Sequence, residues 1–227
     1  PAGRGAPFLG RPLGIYSLSG HARGARIEIL YRAAGRGTKA ISTHCEGDRL
    51  EVLGPLGNRF TCFPGMDTAV LVAGGIGIAP LVFLAERLTA GPAKDRVRVV
   101  AYIGARDAAT LLGVDRVRAF GAEVRISTED GSRGHRGLVT DLLSQSLATR
   151  TAPCRIACCG PEVMLQAVAK LAAAHEVPCE VSLETPMACG IGICFSCVAK
   201  VKDAGGQWDY KRTCVEGPVF DAARIVW

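Results

Sequence analysis

The sequence predicts a mixed fold in three successive parts: a β-rich N-terminal part, a doubly wound α/β part and a small C-terminal part. Short runs of β-forming residues bounded by Gly and Pro dominate residues 1–64. Strand-like and helix-like segments alternate over residues 65–175, and four of the ten cysteines are concentrated in residues 189–214. Hydrophobic residues make up 48% of the 227-residue chain, which is enough to bury a core and excludes a disordered chain.

The N-terminal part contains three runs that favour strands, at residues 13–18, 26–32 and 49–53. A short helix is predicted over residues 38–45, with Thr38 near its N-cap. These elements indicate a unit built mainly of β-strands.

The middle part is predicted to form a parallel sheet with helices between its strands. The expected strands are residues 69–73, 97–103, 124–127 and 155–158, and the expected helices are residues 79–89, 138–147 and 161–174. Pro161 suits the first turn of the last helix, because its missing N–H has no intrahelical partner there.

The C-terminal part is short: a strand at residues 179–183, a loop rich in Gly and Cys, and a hairpin through residues 198–201 and 208–210. So few residues bury little apolar surface. We therefore expect a metal centre to supply the stability that the core lacks.

The apolar runs, the signal sequences and the net charge show which classes of protein the sequence does not resemble. Gly and Pro interrupt every apolar run before it reaches a membrane-spanning length, and no secretory signal opens the chain. The net charge is +6, and the basic excess over residues 1–40 suits a phosphate-bearing cofactor, an acidic partner or nucleic acid. The scarcity of aromatic residues and the lack of any nucleic-acid-binding motif argue against the last.

The most specific feature is the spacing of Cys189, Cys194, Cys197 and Cys214. C-x4-C-x2-C followed by a distant fourth Cys is the plant-type pattern for a [2Fe–2S] cluster. Backbone N–H groups must point at the sulfurs in such a site, and Gly190 and Gly192 allow the tight wrap that this requires. A four-Cys zinc site remains an alternative, although its usual signature is two C-x2-C pairs. Disulfides are a weaker alternative, since no secretory signal is present.

Three turns at predicted strand ends are candidates for binding a dinucleotide. Ligands of doubly wound sheets bind at the carboxyl ends of the strands, where glycines let a pyrophosphate approach the backbone. The residues are Gly74, Gly75 and Gly77 after the first strand, Arg106 after the second, and Cys159, Gly160 and Pro161 after the fourth. Plain strand–helix turns, and a buried apolar role for Cys159, are the alternatives.

The N-terminal part offers a second candidate phosphate site. Gly37 and Thr38 at a helix start suit a pyrophosphate, with Arg11 or Arg32 to neutralise it. Ordinary turns with surface arginines are the alternative.

These motifs, taken in order, resemble the electron-transfer subunit of the NAD-dependent (type 1B) dihydroorotate dehydrogenases, within the ferredoxin–NADP reductase-like superfamily. The resemblance extends over almost the whole chain. It rests on residues 11–14, 30–32, 37–38, 53–57, 73–80, 104–106, 128–131, 159–161, 182–184, 187–197, 214 and 217–220.

The resemblance implies an FAD-binding antiparallel β-barrel over residues 1–64, an NAD-binding α/β domain over 65–175 and a [2Fe–2S] domain over 176–227. It implies that Arg11, Pro12, Leu13, Gly14, Leu30, Tyr31, Arg32, Gly37 and Thr38 bind FAD, that the three turns bind NAD, and that the four clustered cysteines bind the cluster. It further implies a cytoplasmic heterotetramer with a catalytic flavoprotein subunit, which oxidises dihydroorotate in pyrimidine biosynthesis. Electrons then pass through the cluster and FAD to NAD⁺, with no acid–base residue required.

The sequence departs from the family in two places. Gly14 stands where the family's flavin motif usually has Ser, which removes one hydroxyl contact to the flavin. Only ten residues precede Arg11, whereas the family barrel begins with strands upstream of it. We therefore expect an incomplete barrel, with its first strands missing from this sequence.

Two other functions stay open at this point. One is a related flavin and iron–sulfur reductase subunit, of the sulfide dehydrogenase or NADH-dependent ferredoxin reductase type, in which an Asp tends to replace one cluster Cys. The other is a zinc-stabilised binding module. The choice between NAD and NADP is open too, because no acidic ribose ligand follows the glycine turn at the usual spacing.

Overall fold

A computed structural model describes residues 9–20, 24–61, 67–90 and 97–227 of the protein. The predicted boundary between residues 64 and 65 lies outside these residues. Within them, no helix combines the length and the apolar character needed to cross a bilayer.

The core of the protein is a seven-stranded sheet. Its strands are β3 (Thr68–Gly74), β4 (Arg98–Ala105), β5 (Glu123–Thr128), β6 (His135–Arg136), β7 (Cys154–Cys159), β8 (Cys179–Ser182) and β11 (Val219–Asp221). They lie in the order β11-β8-β7-β3-β4-β5-β6. All neighbours pair in parallel except β11, which pairs antiparallel with β8. The predicted doubly wound sheet is therefore confirmed, and two strands from residues 176–227 extend it.

Helices cover both faces of the sheet. They are α2 (Ile78–Thr89) and α3 (Val114–Ala119) on one face, and α4 (Val139–Ala148) and α5 (Glu162–Ala174) on the other. Alternate residues of β3 face opposite ways, so Leu71 packs towards α2 while Val72 packs towards α4 and α5. Because β3 is buried on both faces, it reads as a continuous apolar run in the sequence.

The N-terminal part contains β1 (Ile15–Ser19) and β2 (Arg26–Ile29), which pair antiparallel, and α1 (Arg36–Ile41). The predicted strand at residues 49–53 is wrong: this segment is irregular, and Val52 and Leu53 are 77% and 65% exposed. High β propensity does not form a strand without a neighbour to pair with. The helix predicted at 38–45 begins and ends earlier, with Gly35 at its N-cap.

The C-terminal part contains the cysteine loop and a separate hairpin of β9 (Val198–Lys202) and β10 (Trp208–Arg212). Residues 183–197 have no regular secondary structure. Helix α3 and strands β6 and β11 are additions that the sequence analysis did not predict.

Candidate functional site

Two of the predicted turns meet at the carboxyl edge of the sheet. A Cβ added to Gly77 would clash with the backbone carbonyl of Cys159, and one added to Gly74 would lie 2.8 Å from Pro161 Cδ. Gly75 adopts a φ of +53°, which favours glycine. The glycines therefore allow two strand-end turns to touch at the edge where a dinucleotide binds in such sheets, with Gly75 partly buried between them and solvent.

The Cys159 thiol lies between these turns and the end of β8. Burial raises its pKa to about 11, a hydrogen bond with Ser182 opposes that shift, and the charge of Glu184 adds to it. The thiol therefore stays protonated at neutral pH. It supplies a small, neutral, polarisable contact at the sheet edge and cannot serve as a base there.

Arg106 follows β4 and is exposed. Its backbone carbonyl accepts a hydrogen bond from the Asp130 N–H at 3.2 Å, which joins the loops after β4 and β5. Gly104 pairs in register with Gly74, so Arg106 follows a strand that ends beside the glycine turn. The structure thus places all three predicted turns at one edge of the sheet.

The N-terminal candidates form a second group. The side chain of Arg11 lies over buried Gly37, where a Cβ would collide with its Nε. The Thr38 hydroxyl accepts hydrogen bonds from the N–H groups of Ala34 and Gly35, at 3.0 and 3.1 Å. Arg11, Gly37 and Thr38 therefore come together.

The other N-terminal candidates differ in their surroundings. Gly14 faces Pro80 of α2 at 3.7 Å from its added Cβ, and Leu30 packs on the core beneath α2. Leu13 and Tyr31 are partly buried, whereas Pro12 and Arg32 are exposed.

Arg116 of α3 connects the sheet domain to the N-terminal part, and the sequence analysis missed it. Its Nη1 donates to Glu28 at 2.8 Å, its Nη2 donates to the Ser17 hydroxyl at 2.7 Å, and its guanidinium lies 5.1 Å from the centre of the Tyr16 ring. This one side chain therefore ties the sheet domain to both described N-terminal strands. Contacts separated by about a hundred residues leave no local pattern in a sequence.

The four clustered cysteines lie in two pairs. Cys189 lies beside Cys194, and Cys214 lies beside Cys197. No three His, Cys, Asp or Glu residues in the described ranges are arranged to bind one metal ion. A [2Fe–2S] cluster needs two thiolates on each of its irons, whereas zinc needs four ligands on one ion. Two adjacent pairs of thiols suit a centre that contains two irons.

Backbone N–H groups surround these sulfurs, as the glycines predict. Gly190 and Gly192 have φ values of +72° and +83°, and the Gly192 N–H points at the sulfur of Cys214. Hydrogen bonds from the Ser196 hydroxyl (3.3 Å) and from backbone N–H groups lower the pKa of Cys194 to about 6. Burial raises the pKa of Cys214, with a further contribution from its hydrogen bond to Cys197. The donor set suits an anionic, sulfur-rich centre.

Arg212 braces the cysteine loop, and it too was missed. Its Nη1 donates to the Gly192 carbonyl at 2.9 Å, its guanidinium lies 5.2 Å from the centre of the Phe195 ring, and it forms paired hydrogen bonds with the Glu216 carboxylate. These bonds raise the pKa of Arg212 and lower that of Glu216. Around this brace, Ile191, Ile193 and Phe195 expose apolar surface.

Models of known protein families match both the region of the cysteine loop and the region of the central sheet. Residues 184–226 match the family model described as the iron–sulfur cluster binding domain of dihydroorotate dehydrogenase B. Residues 71–170 match the oxidoreductase NAD-binding domain.

Curated relatives match nearly the whole chain. The electron transfer subunit of dihydroorotate dehydrogenase B (NAD(+)) from Desulforamulus reducens is 41% identical, over 97% of this chain and 81% of that protein. The chain belongs to this family. The subunits from Clostridium acetobutylicum and Bacillus caldolyticus are 38% and 40% identical, each over 97% of this chain and over 80% and 81% of their own lengths. The resemblance drawn from the sequence is confirmed, and the protein is an oxidoreductase subunit that transfers electrons.

Solved structures support the fold. An NADH-dependent reduced ferredoxin–NADP oxidoreductase aligns with a TM-score of 0.80 at 29% identity, over 96% of this chain and 74% of that chain. The cytochrome b5 reductase domain of Ulva prolifera nitrate reductase aligns with a TM-score of 0.53 at 17% identity, over 67% of this chain and 69% of its own. The second likeness shows the fold alone, and the mixed architecture expected from the sequence is confirmed.

Proposed function

We propose that the chain carries electrons from a dihydroorotate-oxidising flavoprotein subunit, through a [2Fe–2S] cluster and FAD, to NAD⁺. The observation that carries this proposal is the pairing of four thiols in a chain whose sheet edge has the form of a dinucleotide site. The names of the curated relatives supply the electron donor and acceptor. We keep residues 1–64, 65–175 and 176–227 as the three functional units.

The cluster ligands in this proposal are Cys189, Cys194, Cys197 and Cys214. When bound, the cluster passes electrons one at a time. The chain contributes the thiolates, the N–H donors that stabilise their charge and the Arg212 brace. Exposed Ile193 (73%) and Phe195 (58%) beside the ligands favour this face for docking of the catalytic subunit.

The proposed NAD site comprises Gly74, Gly75, Gly77, Arg106, Cys159, Gly160 and Pro161. The glycine turn would let the pyrophosphate approach the backbone, Arg106 would supply positive charge, and the neutral Cys159 thiol would lie beside the nicotinamide. A nicotinamide accepts hydride from a reduced flavin, so the task of these residues is orientation and exclusion of water, without proton transfer.

The proposed FAD site comprises Arg11, Pro12, Leu13, Gly14, Leu30, Tyr31, Arg32, Gly37 and Thr38. Arg11 over Gly37 provides a cation beside a backbone with no side chain in the way. A flavin stores two electrons and exchanges them singly with a cluster, which makes it the link between cluster and nicotinamide. Because Gly14 lacks the hydroxyl that the family usually has, its backbone N–H would be its remaining contact to the flavin.

We further propose a cytoplasmic heterotetramer of two catalytic and two electron-transfer subunits, with no nucleic-acid partner. Free thiols at Cys154, Cys158 and Cys179 suit a reducing compartment. The name "electron transfer subunit" borne by the relatives supports the need for a catalytic partner.

The test is purification of the full-length protein with its catalytic partner, followed by cofactor analysis and assay. We expect bound FAD, a [2Fe–2S] spectrum and dihydroorotate-dependent formation of NADH. A colourless protein that contains one zinc and no flavin would overturn the proposal. A second candidate, an NADH-dependent ferredoxin reductase, is favoured by the structural likeness at a TM-score of 0.80. Reduction of ferredoxin by NADH, with no response to dihydroorotate, would select it.

A further inference from the structure

Two Gly-Pro loops that the proposed function leaves unused lie against each other. One spans residues 54–57 in the N-terminal part, and the other begins at Gly217, three residues after the last cluster cysteine. Gly57, with a φ of +66°, packs against the Gly217 carbonyl and lies 3.2 Å from Pro218 Cδ, measured from its added Cβ. Any side chain at residue 57 would separate the loops.

Asn58, the only asparagine of the chain, fastens this contact. Its side-chain amide donates to the carbonyls of Glu216 (3.0 Å) and Val219 (2.7 Å) and accepts from the Val219 N–H at 2.9 Å. Its backbone N–H donates to the Gly217 carbonyl. Only an amide combines two donors and an acceptor in this arrangement, because a carboxylate offers no N–H and alanine offers neither.

The contact continues into the cysteine loop. Glu216, whose carbonyl accepts from Asn58, accepts hydrogen bonds from Arg212 through its carboxylate. Arg212 in turn donates to the Gly192 carbonyl, between Cys189 and Cys194. A continuous series of hydrogen bonds therefore runs from the N-terminal part to the loop that carries three of the four thiols.

A second, apolar contact runs beside it. The side chain of Leu56 lies 3.3 Å from a Cβ added to Gly190, next to Cys189. The same segment is anchored at its other end, where Phe60 is buried in the core and the Thr61 hydroxyl donates to Glu180 at 2.8 Å. Residues 56–61 thus form a strap. It is anchored on the sheet domain at Phe60 and Thr61, and it contacts both the cysteine loop and the loop that begins at Gly217.

We propose that Asn58 is a positioning residue, which fixes the cluster ligands relative to the flavin-binding part and so sets the rate of electron exchange between cluster and FAD. This inference rests on the proposed function. Asn58 is distant in sequence from every cluster ligand, and its hydrogen bonds go to residues 216–219, so it acts on the cysteine loop through Glu216 and Arg212. Electron exchange depends steeply on distance and orientation, so a loosened strap slows that step and spares hydride exchange with NAD.

The experiment compares Asn58→Ala and Leu56→Ala in the full-length protein carrying FAD and cluster. Thr61→Val is the matched control, because it loosens the same segment at its sheet end and touches neither loop. Stopped-flow mixing with NADH measures flavin reduction and cluster reduction separately, and EPR reports the cluster signal. Hydrogen–deuterium exchange of residues 187–197 and 214–219 in the metal-free chain gives a readout independent of activity.

We expect Asn58→Ala to slow cluster reduction by about tenfold or more, with flavin reduction by NADH changed less than about twofold. Residues 214–219 should lose exchange protection. Leu56→Ala should show the same split with a smaller effect, and Thr61→Val should show none. If Asn58→Ala does not fold, Leu56→Ala decides the matter.

Cluster reduction within about twofold of the unsubstituted rate in every variant that folds would overturn the inference. Equal slowing in Thr61→Val would also overturn it, because general loosening would then explain the result. Absence of FAD or cluster from the unsubstituted protein would instead overturn the proposed function, so the two failures are distinguishable.

Discussion

The central sheet and the cysteine region achieve order by opposite means. Leu71 and Ile156 of the sheet are at most 1% exposed, and helices cover them from both faces. In the cysteine region, Ile193 is 73% exposed and residues 183–197 lack regular structure. Hydrogen bonds donated by Arg212 and Thr213, and one that the Ser196 hydroxyl accepts from the Ala188 N–H, maintain the loop. One region is stabilised by apolar burial, whereas the other is a polar cage that a metal centre completes.

Removal of one cluster ligand should have the largest effect, and it should disable the cysteine region while the sheet domain stays intact. Cys194→Ala should abolish the [2Fe–2S] signal and all electron entry from the catalytic subunit, because one iron loses a thiolate. NADH oxidation by an artificial acceptor, which draws electrons from FAD, should stay within about twofold. Iron analysis, EPR and the two assays measure these effects. Cys45→Ala is the control, since Cys45 is exposed and lies outside the loop. Dihydroorotate-dependent NADH formation by the Cys194 variant would contradict the relay.

A core substitution should produce the reverse pattern. Leu81 of α2 is 0% exposed, so Leu81→Ala should lower the free energy of unfolding by about 2–5 kcal/mol. Urea unfolding followed by circular dichroism measures the loss. Below the unfolding transition the iron content should be unchanged, because Leu81 belongs to the core beneath α2. Loss of iron from the still-folded variant would show that the two regions are not independent.

Removal of the Arg212 side chain should weaken the cysteine region alone, with a smaller effect than loss of a cluster ligand. Arg212→Ala should shorten the lifetime of the cluster in a chelator several-fold and leave the unfolding of the sheet unchanged, because its hydrogen bonds lie within the cysteine region. Arg224→Ala is the matched control: Arg224 donates to Lys202 in the same hairpin at 2.7 Å without touching the loop. Equal cluster lifetimes in the two variants would rule out the brace.

The same contrast decides what the sequence can predict. Strand β3 was predicted at residues 69–73 and lies at Thr68–Gly74. It could be predicted because a strand that is buried on both faces has a continuous apolar sequence. Three cluster ligands lie in one loop, so their spacing is visible locally. Asn58 and Val219 are 161 residues apart, and no local sequence pattern predicts their contact. The failed strand at residues 49–53 shows the same limit, because propensity does not specify a partner.

The most direct test of the account is EPR of the purified complex frozen after addition of dihydroorotate without NAD⁺. We expect a reduced [2Fe–2S] signal from this chain, and its disappearance on addition of NAD⁺ with formation of NADH. A cluster that stays oxidised while dihydroorotate is consumed and NADH forms would contradict the proposed route, because electrons would then bypass the four cysteines.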